Sequence, residues 1–293
     1  MNLRNRVVLL GRSLGTLLVF GCFSAGAVLL GIPVFFVFTL FIRNAVKRRQ
    51  VLRWLVKKSM QMLIFLSGLL GVFKVHFLLT DNDAGVTSRA GEASKALPET
   101  SLNEIFRPAT NVSIDTSGCL ITANHPTLVD YVIMVSLMDT GVSTMVKYSL
   151  TQGFMKSIVR HLGYVNNQSS YEDITASVSD GSLLIFPEGS RTHGDIHFKR
   201  GAANISIRLG IPVIPVFMYC SEPDFLNTGF LNIVPPPHVP HIYVALGERI
   251  EFGEECFGSD MPLSLKARHF NRYLENLYQC KNAALSEYHR SRI

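Results

Sequence analysis

Between Leu14 and Ile42 the chain carries no charged residue. A helix needs roughly 20 predominantly apolar residues to cross the hydrocarbon layer of a bilayer, so a run of this length is expected to meet lipid. Pro33 and the glycines Gly21, Gly26 and Gly31 interrupt it. Two geometries follow: one tilted span, or a bent re-entrant hairpin whose two ends lie on the same side. The dense basic segment that comes next, in place of a small-residue cleavage site, argues against a cleaved secretory signal.

Charge is distributed unevenly. Ten of the 28 Lys/Arg residues and none of the 22 Asp/Glu lie within residues 1–58, so a chain of net charge +6 is acidic from residue 59 onward. Basic character confined to the amino-terminal region points to an anionic membrane surface, not to a nucleic-acid-binding body. Residues 43–58 hold seven of those cations together with Trp54, the single tryptophan. By the positive-inside and aromatic-belt rules this segment reads as cytoplasmic and interfacial. Residues 59–73 continue apolar but are short for a crossing, and they read as an interfacial helix, with a core helix as the alternative. The five cysteines, Cys22, Cys119, Cys220, Cys256 and Cys280, are far apart and lack Cys-x-x-Cys spacing. Neither a zinc site nor a disulfide framework is expected, and no other metal site is indicated.

Residues 80–117 are rich in Asp, Asn, Ser, Thr and Gly and read as a polar loop or linker. Beyond them short β-rich runs alternate with helix-length stretches: 119–123, 143–147, 182–186, 212–217 and 241–246 as strands, with helices at 126–138, 152–162, 199–209 and 262–290. Such alternation predicts an α/β domain whose buried, mostly mixed sheet is flanked by helices. The predicted organisation is residues 1–79 as membrane-embedded and interfacial helices, 80–117 as the linker, and 118–293 as one catalytic domain.

Two polar segments sit at strand ends. In Asn124-His125-Pro126-Thr-Leu-Val-Asp130 a histidine leaves a buried strand and a carboxylate follows within the next helical turns. Asp130 can fix the imidazole tautomer and stabilise the imidazolium, so that the other ring nitrogen takes a hydroxyl proton. Standing alone, a histidine near a helix start with a dipole-favoured Asp is an ordinary arrangement. The second segment, Phe186-Pro187-Glu188-Gly189-Ser190-Arg191, follows another apolar run, where α/β folds place ligands. Arg191 is suited to a bidentate phosphate contact and Glu188 to accepting from acceptor hydroxyls. Lys147, at the end of its strand, is a candidate phosphate or donor contact, and Ile211–Val216 is a proline-punctuated structural run. A hydrolase using Ser190 as nucleophile is disfavoured, because Glu-Gly-Ser-Arg-Thr is not a Gly-x-Ser-x-Gly elbow.

Taken together, His125 with Asp130, then Phe186–Arg191, then Ile211–Val216, in that order across about residues 118–250, resemble the lysophosphatidic acid and glycerol-phosphate acyltransferases. The resemblance implies a catalytic pair at His125 and Asp130. It also implies acceptor binding by Glu188, Gly189, Ser190 and Arg191, and a membrane element over residues 14–79. The reaction implied is acyl transfer, without cofactor or metal, from acyl-CoA or acyl carrier protein to a lysophospholipid hydroxyl in phospholipid biosynthesis. Its setting would be the cytoplasmic face of a membrane, with membrane lipids as partners and no nucleic acid. In two places the sequence departs from the family pattern. Asn166, Asn167 and Gln168 stand where an Asp-Arg pair is usual, which opens the alternative of a less charged acceptor, such as an aminolipid, glycolipid or polyene-type lipid. The insertion at 80–117 is also unusually long. A non-enzymatic membrane lipid-binding protein is the third reading.

Overall fold

Four-residue runs such as Leu120–Ala123 and Ser182–Ile185, buried at every position, are what a strand covered on both faces demands. The computed structural model describes residues 3–29, 33–80, 106–109, 118–153, 155–179, 181–191, 194–222, 225, 238–251 and 261–292. Its strands are β1 (Lys74–Thr80), β2 (Phe106–Pro108), β3 (Leu120–Ala123), β4 (Val142–Val146), β5 (Val165–Asn166), β6 (Ser182–Ile185), β7 (Val213–Cys220) and β8 (His241–Leu246). They form one mixed sheet in the order β2-β1-β8-β7-β3-β6-β4-β5. From β7 to β5 all neighbours run parallel, whereas β7 meets β8, and β1 meets β2, antiparallel. The carboxyl ends of β3, β6, β4 and β5 therefore open on one edge, which in open α/β sheets is the ligand edge.

Helices cover both faces. On one lie α1 (Leu3–Leu29), α2 (Phe35–Phe41), α3 (Ala45–Leu69), α4 (Asp130–Leu137) and α5 (Met155–Leu162); on the other lie α6 (Tyr171–Ser179), α7 (Gly201–Leu209) and α8 (Leu263–Arg290). The α8 stripe Ala267, Phe270, Leu274, Tyr278, Leu285 and Tyr288 is buried at helical spacing. Gly210 ends α7 in the left-handed conformation, the cheap position for a residue without a β-carbon.

The amino-terminal region differs from its reading in three respects. The uncharged run is divided between α1 and α2 around Pro33, and no helix among the described residues is long and apolar enough to cross a membrane. Residues 45–69 form a single helix whose buried side, Leu52, Val56, Leu63 and Ser67, joins the core that also contains α4. The core-helix alternative for 59–73 is met on that side, while Phe65 and Leu69 of the same helix stay 71% exposed. Finally, Lys74–Thr80 pairs with β8, so the expected boundary at residue 79 falls inside a strand of the main sheet. Most of the 80–117 stretch, like Cys256, lies outside the described residues.

Two arginines anchor this region. The buried Arg12 of α1 donates from Nε to Gly71 O at 3.2 Å and from Nη2 to His238 O at 2.9 Å. Arg53 of α3 donates to Leu162 O at 2.9 Å and Thr140 O at 3.1 Å, satisfying a carbonyl at the end of α5. Part of the basic segment read as headgroup contact therefore serves packing.

Candidate active site

The end of β3 is fixed before any catalytic group appears. Asn124 is buried, and its side chain donates to Met218 O and accepts from Met218 N–H of β7, both at 2.7 Å. Tyr278 of α8 reaches the same level: its hydroxyl donates to Thr122 O at 2.7 Å and accepts from Val216 N–H at 3.2 Å. Asn124 stands in the motif read from the sequence without a role of its own, and Tyr278 was not singled out. Both look like ordinary core positions until the fold brings β3, β7 and α8 together.

His125 leaves this clamp. Its Nδ1 lies 2.9 Å from Asp130 Oδ2, and its ring packs against Phe186, 4.8 Å between centroids. Asp130 is fully buried and also accepts from Thr127 N–H at 2.6 Å and from the Thr127 hydroxyl. These bonds close a tight turn over 127–129, which is why the helix begins at Asp130 and not at Pro126 as expected. Burial raises the Asp130 pKa, and the donors from His125 and Thr127 oppose that rise by favouring the carboxylate. With Nδ1–H donating to Asp130, Nε2 is left as the nitrogen that can take a proton.

Glu188, at the end of β6, completes the centre. Its Oε1 accepts the His125 backbone N–H at 2.9 Å, and its buried Oε2 has no hydrogen-bond partner among the described residues. Burial, aided by the nearby Asp130 charge and opposed by the His125 N–H, lifts its pKa to about 7. Gly189 follows in the left-handed conformation, φ 70°. A β-carbon there would lie 2.8 Å from Lys199 Nζ, so this lysine stretches directly across the loop. Lys199 is placed by its own N–H, which donates to Pro187 O at 2.9 Å, and by α8, since Glu275 accepts from Phe198 N–H at 2.7 Å. Sequence reasoning missed it because a lysine eight residues beyond Arg191 carries no local signal.

The remaining residues lie further out. Ser190 is exposed and Arg191 half-buried in the same loop. Lys147 is exposed at the carboxyl end of β4, separated from β3 by β6 and hence about 10 Å across the edge at ordinary strand spacing. Among the described residues no strand-to-helix elbow surrounds Ser190, since α7 starts only at Gly201. The Cys220 thiol is pushed up to about 12 by burial and is no nucleophile. Ile211–Val216 contributes the buried strand β7 and brings no polar side chain to the centre.

Comparison with known proteins supports the same region. Residues 99–219 match the family model described as Acyltransferase. Over those residues the chain is similar to the acyltransferase family. A Caenorhabditis elegans protein named "Putative 1-acyl-sn-glycerol-3-phosphate acyltransferase acl-2" is 26% identical over 159 residues, which span 47% of this chain and 56% of the relative. The chain thus covers little more than half the length of that relative. The chain also shares a fold with the crystal structure of the 1-acyl-sn-glycerophosphate (LPA) acyltransferase PlsC from Thermotoga maritima. There the TM-score is 0.57 at 15% identity, covering 94% of this chain and 98% of that one. Every motif named above, from His125 through Arg191 to Val216, falls inside the matched residues.

Proposed function

We propose that the chain is a membrane-attached O-acyltransferase that moves a fatty acyl group from acyl-CoA or acyl carrier protein to the hydroxyl of 1-acylglycerol-3-phosphate. The observation that carries this reading is the His125–Asp130 pair at the carboxyl ends of parallel strands, with Nδ1 committed to the carboxylate. His125 Nε2 removes the proton as the acceptor hydroxyl attacks the thioester carbonyl. Asp130 stabilises the imidazolium, and the thiolate leaves on collapse of the tetrahedral intermediate. A positioned base supplies roughly 10²–10⁴ in rate, and holding acceptor and donor together supplies more.

A phosphate acceptor is favoured by the cations around the Glu188–Arg191 loop. Lys199 adds a third to Arg191 and Lys147, which offsets the absence of an Arg near residue 166. At that position Asn167 Oδ1 accepts Tyr148 N–H at 2.7 Å and Asn166 Oδ1 accepts Gln168 N–H at 2.8 Å, so both side-chain oxygens close turns. Membrane attachment is supported by the exposed apolar side chains of α1–α3, among them Leu10, Leu14, Phe36, Phe41 at 80%, Trp54 and Phe65. In this reading those helices lie in the cytoplasmic face of the bilayer, in re-entrant fashion, with the ligand edge near the lipid headgroups.

Purified protein incubated with acyl-CoA or acyl carrier protein and a panel of lysolipids, with products identified by mass spectrometry, tests the proposal. Acylated lysophosphatidic acid is the expected product. Acylation confined to uncharged or zwitterionic lysolipids would transfer the reading to the less charged acceptor. No acylation of any lysolipid would leave a lipid-binding protein.

A further inference from the structure

Glu188 is held in a way that accepting a hydrogen bond from the acceptor hydroxyl does not explain. One carboxyl oxygen is spent on the His125 backbone N–H, and the other is buried without a hydrogen-bond partner among the described residues. Asp130, next to it, already supplies the carboxylate that His125 requires, and is satisfied by three donors. A second carboxylate with a single donor would be poorly compensated, and it would face the carbonyl oxygen on which negative charge develops. A neutral acid in the same place has the opposite effect. Its carbonyl oxygen still accepts the His125 N–H, and its O–H points a donor at the developing charge.

Resting on the acyl-transfer reading above, we infer that Glu188 works as a neutral carboxylic acid whose Oε2–H donates to the substrate's carbonyl oxygen as it becomes an oxyanion. The proton stays on Glu188 throughout: the hydrogen bond strengthens as the tetrahedral intermediate forms and relaxes when the thiolate leaves, so no bond to Glu188 is made or broken. The surroundings are consistent with this. Asp130 disfavours ionisation, and Tyr278, whose hydroxyl binds Thr122 and Val216, approaches from α8 without donating to Glu188. The Lys199 amine, across Gly189, Arg191 of the same loop, and His125, when protonated, are opposing positive charges. Burial that lifts the carboxyl to about pH 7 makes the neutral form available under working conditions.

Glu188→Gln keeps the accepting oxygen and a donor but cannot ionise, which makes it the discriminating variant. With lysophosphatidic acid and acyl-CoA, it is expected to hold kcat within about tenfold of wild type near pH 7, while Glu188→Ala loses about 10² or more, the scale of one oxyanion donor. The ratio of Glu188→Gln to wild-type kcat should rise with pH above the Glu188 pKa, since only the wild type loses its donor there. A Gln variant as inactive as Ala at every pH, or a ratio that falls with pH, overturns the inference. An infrared measurement on the substrate-free full chain is independent of activity. The neutral-carboxyl band seen at about pH 6 should titrate away near pH 7 in wild type and be missing from Glu188→Gln. Identical spectra for the two proteins at pH 6 also overturn it. Failure of the wild type to acylate any lysolipid, by contrast, sinks the acyl-transfer reading and leaves the infrared result to stand or fall separately.

Discussion

At the residue scale the site is built from side chains that hold backbone, and only then from the side chains proposed to meet substrate. Asn124→Ala removes both bonds to Met218 and leaves a buried N–H and C=O unpaired. It should destabilise the protein by about 2–4 kcal/mol and lower kcat, measurable by denaturant unfolding alongside turnover. Glu188 predicts an effect of opposite sign. Its folded-state pKa, about 7, lies above the ordinary carboxyl value of 4.5, so the folded protein binds the extra proton. The associated stability is present at low pH and lost as pH rises from about 4.5 through 7. Glu188→Gln should therefore be more stable than wild type at pH 8, on the order of 3 kcal/mol at 1.36 kcal/mol per pKa unit, and nearly equal to it at pH 4.5. Thermal melts at the two pH values check this. Lys199→Ala and Arg191→Ala should each lower kcat/KM for lysophosphatidic acid by roughly 10–10², the loss of a charge-assisted bond worth about 1.5–3 kcal/mol. An uncharged lysolipid should be affected much less.

At the element scale, the strands that carry the site were legible because each is a short, continuous apolar run: β3, β4, β6, β7 and β8 lie within two or three residues of where the sequence places them. β1 was missed because Lys74 and His76 look like the polar end of an apolar helix. In the sheet they alternate with Val75 and Phe77, and His76 stacks on Tyr243 at 4.8 Å. α6 went unread although Ser170 accepts the Asp173 N–H at 3.2 Å, a Ser-x-x-Asp cap visible in the sequence. The His125–Asp130 contact was legible since a His and an Asp five residues apart can meet locally. Lys199 and Tyr278 were not, because tertiary packing alone brings them to the site. The amino-terminal elements carry their own prediction. Deleting residues 1–42 removes α1, α2 and the Arg12 anchor but spares α3 and β1, so the product should fold and bind vesicles weakly. Deleting residues 1–80 also removes β1 and uncovers α4, and that product should aggregate, as sedimentation would show.

At the scale of the whole molecule, acid and base act on different parts. His76, His241 and His289 gather between β1, β8 and the end of α8, with His76 Nε2 2.9 Å from His241 Nδ1 and His289 bonded to the Tyr243 hydroxyl at 3.0 Å. Burial chiefly, then mutual repulsion and Lys74, lowers the His76 and His241 pKa values; burial lowers that of His289 against the pull of Glu222. Groups with depressed folded-state pKa values stabilise above the unfolded value, about 6.5, and that contribution is lost as pH falls through the folded ones. Acidification from pH 7 toward 5 should thus loosen this corner while Glu188 partly compensates, and the melting temperature of Glu188→Gln should fall more steeply over that range than that of wild type. The central claim, however, concerns His125. The most direct test is the initial rate of lysophosphatidic acid acylation from acyl-CoA by wild type and by His125→Ala, both shown to be folded by circular dichroism. The account predicts a loss of about 10² or more in the variant. A His125→Ala protein keeping more than about a tenth of wild-type turnover would contradict it.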